Sequence, residues 1–99
     1  MDKKPVELST IVVQSKGVIA SEIDGEVVMM NVALGLYSWL DDIGSEIWNL
    51  LESPRQVSEI CEILMGRYDV KENECQTDVL AFLKDIVAKG IVTVDESAI

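Results

Sequence analysis

Residues 18–40, which read VIASEIDGEVVMMNVALGLYSWL, decide the fold class. Two β-rich runs flank Asp24-Gly25, a pair that suits a two-residue hairpin turn because it tolerates positive φ. A second turn leads into the short aromatic run Leu36–Leu40, which is typical of a third strand. The stretch therefore predicts a three-stranded antiparallel meander.

The apolar spacing changes from two to about 3.6 residues after this meander. It predicts a first helix that begins at an Asp41 or Asp42 cap and ends before Pro54. A second helix ends near Tyr68, and a third runs from about residue 72 to 89. The sequence thus predicts three helices after the strands.

A three-stranded meander is not stable alone in water, so the helices must cover one of its faces. Further short strands are possible over 10–13 and 91–94. The predicted fold class is α+β: a winged helix-turn-helix-like domain with a three-stranded antiparallel sheet followed by three helices. The expected boundaries are one domain over 1–99, a core over about 18–94, and flexible ends at 1–9 and 95–99.

The third predicted helix has a wide apolar face. At 100° per residue its apolar positions span about 160°, whereas a helix that lies on one core needs about 100°. The extra width fits packing against both the sheet and the other helices, or a shoulder that lines a groove. The apolar positions are Cys75, Val79, Leu80, Phe82, Leu83, Ile86 and Val87.

The composition argues against catalysis and against nucleic-acid binding. The chain has no His, and its 18 acidic and 8 basic residues give a formal charge of -10 at pH 7. Without imidazole, the commonest general acid or base near neutral pH is absent. The third helix is itself net acidic and could not neutralise phosphates. We therefore expect neither enzyme activity nor a nucleic-acid partner.

Two cysteines, Cys61 and Cys75, are too few for a zinc site in a chain without His. We expect them to be buried free thiols in a reducing cytosol, with no metal and no cofactor. The longest apolar runs, such as residues 27–30, are too short to span a bilayer. The prediction is a cytoplasmic protein without a membrane partner.

The remaining class of function is recognition of a peptide or a protein. A short aromatic edge strand beside a wide helix suits β-augmentation, in which a guest peptide adds a strand to the sheet. Tyr37 and Trp39 share one face of that strand, and Leu36, Ser38 and Leu40 share the other, and either face could contact the core. An open edge also allows a symmetric homodimer.

An ordered set of positions runs through most of the chain: Asp24-Gly25-Glu26-Val27-Val28, Gly35-x-Tyr37, Trp39-Leu40-Asp41, Gly44, Ile47-Trp48, Leu50-Leu51-Glu52, Pro54, Val57, Glu59-Ile60, Leu64, Tyr68, Asp78-Val79, Phe82-Leu83 and Gly90-Ile91-Val92. Over about residues 18–94 this set resembles the PqqD-like family. Its members are recognition elements for leader peptides in the biosynthesis of ribosomally made, post-translationally modified peptides.

Within that family, the run Gly44-x-x-Ile47-Trp48-x-Leu50-Leu51-Glu52-x-Pro54 resembles the stand-alone element of lasso-peptide systems. The pyrroloquinoline-quinone members usually carry an acidic-Gly pair after the first helix. This chain has Glu52-Ser53 there instead. The resemblance therefore favours a lasso-peptide system.

The resemblance implies a non-enzymatic mechanism. The leader of a precursor peptide would add as an antiparallel strand to Leu36–Leu40, in the cleft with the third helix. The domain would deliver the precursor to a cysteine-protease-type leader peptidase, before a separate cyclase closes the ring. The alternatives are a peptide chaperone of another pathway, such as that of pyrroloquinoline quinone, and an acidic winged-helix protein-interaction module.

The expected binding residues follow from this resemblance and from the helical arc. Asp78 matches a family position and borders one shoulder of the third helix, so we expect the groove there. The opposite shoulder, Leu80 and Val87, is the alternative. The predicted leader-binding residues are Leu36, Tyr37, Ser38, Trp39, Cys75, Asp78 and Phe82.

Overall fold

The computed structural model describes residues 5–24 and 26–96. Within these ranges the chain forms six strands and three helices. They are β1 (Ile11–Gln14), β2 (Val18–Ile23), β3 (Glu26–Asn31), β4 (Leu36–Leu40), α1 (Asp42–Leu50), β5 (Arg55–Gln56), α2 (Val57–Arg67), α3 (Glu72–Ala88) and β6 (Val92–Val94). The α+β class predicted from the sequence is confirmed.

The predicted meander is present as an antiparallel sheet in the order β2-β3-β4. Ile23 pairs with Glu26 across the first turn, and Asp24 has the positive φ of 52° that such a tight turn requires. Gly25, the second residue of the predicted turn, lies outside the described residues. The third predicted strand is β4, at one edge of this sheet.

A second antiparallel sheet, in the order β5-β1-β6, was not predicted. The sequence indicated the strands at 10–13 and 91–94, and the structure pairs them as β1 and β6. It gave no sign of β5, because two residues are too short for any period. The description of one three-stranded sheet followed by helices is therefore incomplete.

Local chemistry explains where the helices begin and end. The Asp41 carboxylate caps α1 by accepting from the Gly44 N–H at 2.7 Å, so Asp41 is the N-cap. α3 ends before Gly90, whose φ of 72° lies in the left-handed region that terminates many helices. Asn31 Nδ2 donates to the Gly90 carbonyl at 2.8 Å and ties this helix end to β3.

The hydrophobic core extends further toward the N-terminus than predicted. Val6 and Val12 are buried with the sheet and helix residues, whereas the core was expected to begin near residue 18. The physical reason is that β1 pairs with both β5 and β6, which draws the preceding segment into the domain. Of the ends predicted to be flexible, residues 1–4 and 97–99 lie outside the described residues.

None of the helices in the described residues combines the length and the hydrophobicity that a bilayer span requires.

Candidate functional site

The ladder between β2 and β3 shows which way the backbone groups of β3 point. The Val32 N–H donates to the Gly17 carbonyl at 3.2 Å, one step beyond the pair formed by Val18 and Asn31. Because bonded and non-bonded pairs alternate in an antiparallel ladder, Asn31 directs its own groups toward β4. The Gly35 N–H agrees, because it donates to the Asn31 carbonyl at 2.9 Å.

The same alternation identifies the free backbone groups of β4. Leu36 pairs with Asn31, so Leu36 and Ser38 direct their N–H and C=O groups toward β3. Tyr37 and Trp39 direct theirs away from β3. Within the described residues β4 has no second strand partner. The edge therefore offers two donors and two acceptors to a guest strand.

The two faces of β4 differ in burial, which settles a question that the sequence left open. Ser38 and Leu40 are buried and face the core, whereas Tyr37 and Trp39 are more than half exposed on the outer face. Leu36 shares the inner face with Ser38, yet it remains exposed. The core face is thus the Leu36, Ser38 and Leu40 face.

The second half of α3 and the residues after it contact the segments that flank β4. Just before β4, Leu34 Cδ1 lies 2.9 Å from where a Cβ of Gly90 would be. Just after it, the ring of Phe82 lies 3.2 Å from where a Cβ of Gly44 would be, beside the capping Asp41. The second half of α3 therefore runs antiparallel to β4, and we call the region between the β4 edge and α3 the cleft.

The shoulder of α3 that carries Cys75, Asp78 and Phe82 lies against α1 and the end of α2. Cys75 and Asp78 line a cavity of about 140 Å³, whereas Phe82 packs against the start of α1. Cys75 is buried, with its thiol 3.8 Å from the Cys61 carbonyl oxygen, and it forms the floor of the cavity rather than its rim. The predicted residues therefore fall into two groups, one on β4 and one on the α3 shoulder, and the cavity that Cys75 and Asp78 line includes no described residue of β4. The remaining residues that line the cavity are Ile43, Leu64, Tyr68, Val70 and Val79.

Leu80 and Val87, on the opposite shoulder of α3, are partly buried against the core. Their packing accounts for that side of the wide apolar arc without a ligand.

A polar clasp, formed by Glu46, Arg67 and Tyr68, lies at one wall of the cavity, and no sequence pattern predicted it. Tyr68 at the end of α2 donates to Glu46 Oε2 at 2.6 Å, and Arg67 forms an ion pair with the same carboxylate. The Tyr68 hydroxyl and then Arg67 lower the pKa of Glu46 below its ordinary value. The hydrogen bond to Glu46 raises the pKa of Tyr68. The sequence had marked Tyr68 only as the end of the second helix and as one position of the family resemblance.

The connection between β3 and β4 is apolar and exposed. Val32 and Leu34 are each more than half exposed, and we call residues 32–34 the apolar turn. The Leu34 N–H donates to Asn31 Oδ1 at 3.0 Å, so the turn has a fixed shape. Turns are usually polar, and exposed apolar residues of this kind mark contact surfaces.

Both thiols, of Cys61 and Cys75, are buried and free. Burial raises the pKa of the Cys61 thiol to about 11, and the neighbouring Cys75 adds to the rise. Among the described residues no group of three potential metal ligands comes together. What the cleft offers is backbone hydrogen bonding beside an apolar surface.

A family model described as Coenzyme PQQ synthesis protein D (PqqD) matches residues 26–92. The chain is also similar to the PqqA binding protein of Rhodopseudomonas palustris, with 42% identity over 53 residues in strain BisB5 and 38% over 53 residues in strain HaA2. Each match covers 54% of this chain and 52% of the relative. The chain therefore spans about half the length of the curated relatives it matches.

Two solved structures have the same fold. A structure of TbiB1 in complex with the TbiA(beta) leader peptide matches with 32% identity and a TM-score of 0.70, covering 81% of this chain and 93% of that one. A lasso peptide synthetase B1 complexed with the leader peptide matches with 17% identity and a TM-score of 0.70, covering 83% and 96%, and shows the fold alone. Because the family model matches well over half of its length, the chain belongs to the PqqD family.

Proposed function

We propose that this domain binds the leader region of a ribosomally made precursor peptide and performs no chemistry on it. The leader adds as an antiparallel strand to β4 and occupies the cleft with α3. The domain then delivers the bound precursor to a cysteine-protease-type leader peptidase in lasso peptide biosynthesis, before a cyclase acts. Both steps would take place in the cytoplasm.

The observation that carries this proposal is the free edge of β4. Tyr37 and Trp39 offer unpaired N–H and C=O groups, and backbone hydrogen bonds of this kind give strand addition its affinity. Phe82 of α3 lies against Gly44, just beyond the end of β4, and we expect a guest strand to contact Phe82 and Asp78. A guest strand there would gain both a ladder and a side-chain surface.

The relatives support the same class of ligand. TbiB1 was solved with the TbiA(beta) leader peptide, and it is similar to this chain over most of both lengths. The PqqA binding proteins are named for their ligand, PqqA. Their identity to this chain, 42% over 53 residues, makes a role in pyrroloquinoline-quinone biosynthesis the second candidate. Both candidates share one mode of binding and differ in the peptide.

The charge pattern separates this proposal from nucleic-acid binding. In a winged-helix-like arrangement α3 would be the helix that enters a DNA groove. Its carboxylates, such as Glu72, Asp78 and Asp85, outnumber its lysines, and the chain as a whole carries a charge of -10. A surface of this sign repels the phosphate backbone. The free edge could also pair with a second copy of the chain when no peptide is bound.

The test is a titration with two synthetic peptides, the TbiA(beta) leader and PqqA, followed by tryptophan fluorescence, to which Trp39 on the edge strand and Trp48 in α1 contribute. We expect saturable binding of one peptide. Tyr37→Pro removes an outward N–H and should weaken that binding by about tenfold or more. Ala20→Pro is the matched control, because Ala20 points its N–H to the free edge of β2, on the other side of the sheet.

Equal losses in the two proline variants would contradict strand addition to β4. Absence of binding by either peptide to the folded wild-type protein would overturn the proposed function as a whole. Circular dichroism of each variant shows whether the domain remains folded.

A further inference from the structure

The inner face of β4 becomes progressively more exposed along the strand. Leu40 is 2% exposed, Ser38 is 8% exposed and Leu36 is 42% exposed, although all three side chains point to the same side of the sheet. The core therefore covers the end of β4 and leaves its beginning uncovered. Ser38 stands at the boundary between the covered and uncovered parts.

Ser38 is unusual in two respects. It is the one polar side chain among the buried described residues, and its hydroxyl forms no hydrogen bond within them. The hydroxyl keeps some accessible surface, because no fully enclosed polar side-chain atom of the described residues lacks a partner. A guest strand that covers the hydroxyl would take it out of contact with water, so the guest must supply a hydrogen-bond partner in its place.

Ser38 is also small where its neighbours on the inner face are large. Leu36 and Leu40 flank it, and Met29 lies opposite it on β3. Ser38 is thus the smallest side chain on the inner face of β4, with a leucine on each side of it along the strand. A guest strand would run directly past it.

The hydrogen-bond pattern of β4 fixes how a guest strand must sit. Tyr37 and Trp39 form the bonded pairs with the guest, so the guest residue opposite Ser38 occupies a non-bonded pair. In such a pair the two Cβ atoms lie about 4.5–5.5 Å apart on the same face. The guest side chain opposite Ser38 therefore points inward, and its two neighbours point outward beside Tyr37 and Trp39.

We infer that Ser38 is a specificity-determining residue of the cleft. It selects a leader with a side chain that carries a hydrogen-bonding group, such as Thr, Gln or Tyr, at the position opposite it. The polar atom of that side chain bonds the Ser38 hydroxyl, beside the exposed Leu36. The inference rests on the proposed function and adds to it the register and the side-chain class of the leader.

The experiment uses calorimetric titration of the TbiA(beta) leader peptide and PqqA into three variants. Ser38→Ala removes the hydroxyl with little change in size, and should weaken binding about threefold to tenfold. Ser38→Leu removes the hydroxyl and adds bulk that clashes with the guest side chain opposite it, and should weaken binding by about tenfold or more. Ser21→Leu is the matched control on the outer face of β2, and it should leave the affinity unchanged.

An alanine scan of the bound peptide against Ser38→Leu then locates the register. We expect one peptide position at which alanine restores affinity to this variant, while alanine at the two adjacent positions restores none. If Ser38→Leu does not fold, Ser38→Thr takes its place, since it adds one methyl group at the same site.

Wild-type affinity in both Ser38 variants, or rescue at no peptide position, would overturn this inference. The proposed function and the specificity role fail in different ways. If a peptide binds the wild type, binds Tyr37→Pro more weakly and binds the Ser38 variants with unchanged affinity, only the specificity role is refuted. A wild-type protein that binds neither peptide refutes both.

Discussion

At the scale of single residues, Gly90 connects the two sides of the cleft. Its φ of 72° ends α3, and its carbonyl accepts from Asn31. A Cβ at this position would stand 2.5 Å from Asn31 Nδ2 and 2.9 Å from Leu34 Cδ1. Only glycine meets both the backbone and the space requirement, so this residue fixes the spacing between α3 and the start of β4.

We expect Gly90→Ala to lower the free energy of unfolding by about 1–3 kcal/mol, because it adds strain and a clash together. Gly66→Ala in α2 is the matched control, since nothing lies within 4 Å of its added Cβ. That variant should raise stability by about 0.5–1 kcal/mol. Urea denaturation measures both, and equal changes in the two variants would contradict the role given to Gly90.

The sequence predicted the residues of β4 better than their orientation. Alternation placed Tyr37 and Trp39 on one face and Leu36, Ser38 and Leu40 on the other. Both faces carry large apolar side chains, so hydrophobicity could not tell which one meets the core. The structure settles this through the burial of Ser38 and Leu40.

At the scale of elements, the polar clasp of Glu46, Arg67 and Tyr68 joins α1 to the end of α2 outside the core. Tyr68 and Arg67 contact one carboxylate across the cavity wall. The contact spans 22 residues, which no local period can reveal. For the same reason β5 was missed: it exists because β1 lies beside it, and its two residues carry no pattern of their own.

Tyr68→Phe removes the largest cause of the lowered pKa of Glu46, so we expect that pKa to rise toward its ordinary value of 4.5. When folding lowers the pKa of a carboxyl group, it stabilises the folded state at pH values above the unfolded pKa. This stability is lost as the pH falls through the folded pKa. The variant should therefore be less stable than the wild type at pH 7, with the gap closing in acid.

Carboxyl NMR titration of Glu46 measures the shift, and denaturation at pH 7 and in acid measures the gap. Tyr37→Phe is the matched control, because Tyr37 lies on the outer face of β4 and should leave Glu46 unchanged. An identical Glu46 titration in wild type and Tyr68→Phe would show that the clasp does not form in solution.

At the scale of the whole molecule, two sheets and three helices share one core. The helical periods and hairpin signals predicted most of its elements, and the wide arc of α3 predicted that this helix has more than one neighbour. The second sheet and the contribution of Val6 escaped prediction, because they depend on pairing between distant segments. Cys61 and Cys75, predicted as buried free thiols, are both found buried and free.

Burial raises the pKa of Cys61 from 9.0 to about 11. When folding raises the pKa of a thiol, the resulting stability is complete at pH values below the unfolded pKa. It is lost as the pH rises through the folded pKa. We therefore expect the unfolding free energy to decline between about pH 9 and 11. Cys61→Ala should show a smaller decline over that range in urea denaturation, and an unchanged slope would contradict the assignment.

The apolar turn stands at one end of β4, and a polypeptide strand has a direction. A guest antiparallel to β4 travels from the Leu40 end to the Leu36 end, so its carboxyl-terminal continuation leaves the domain beside Val32 and Leu34. In a precursor that continuation is the segment that becomes the product. The product segment of a bound precursor would thus extend from the domain beside the apolar turn. An enzyme that binds to this turn would therefore be placed next to the segment on which it acts.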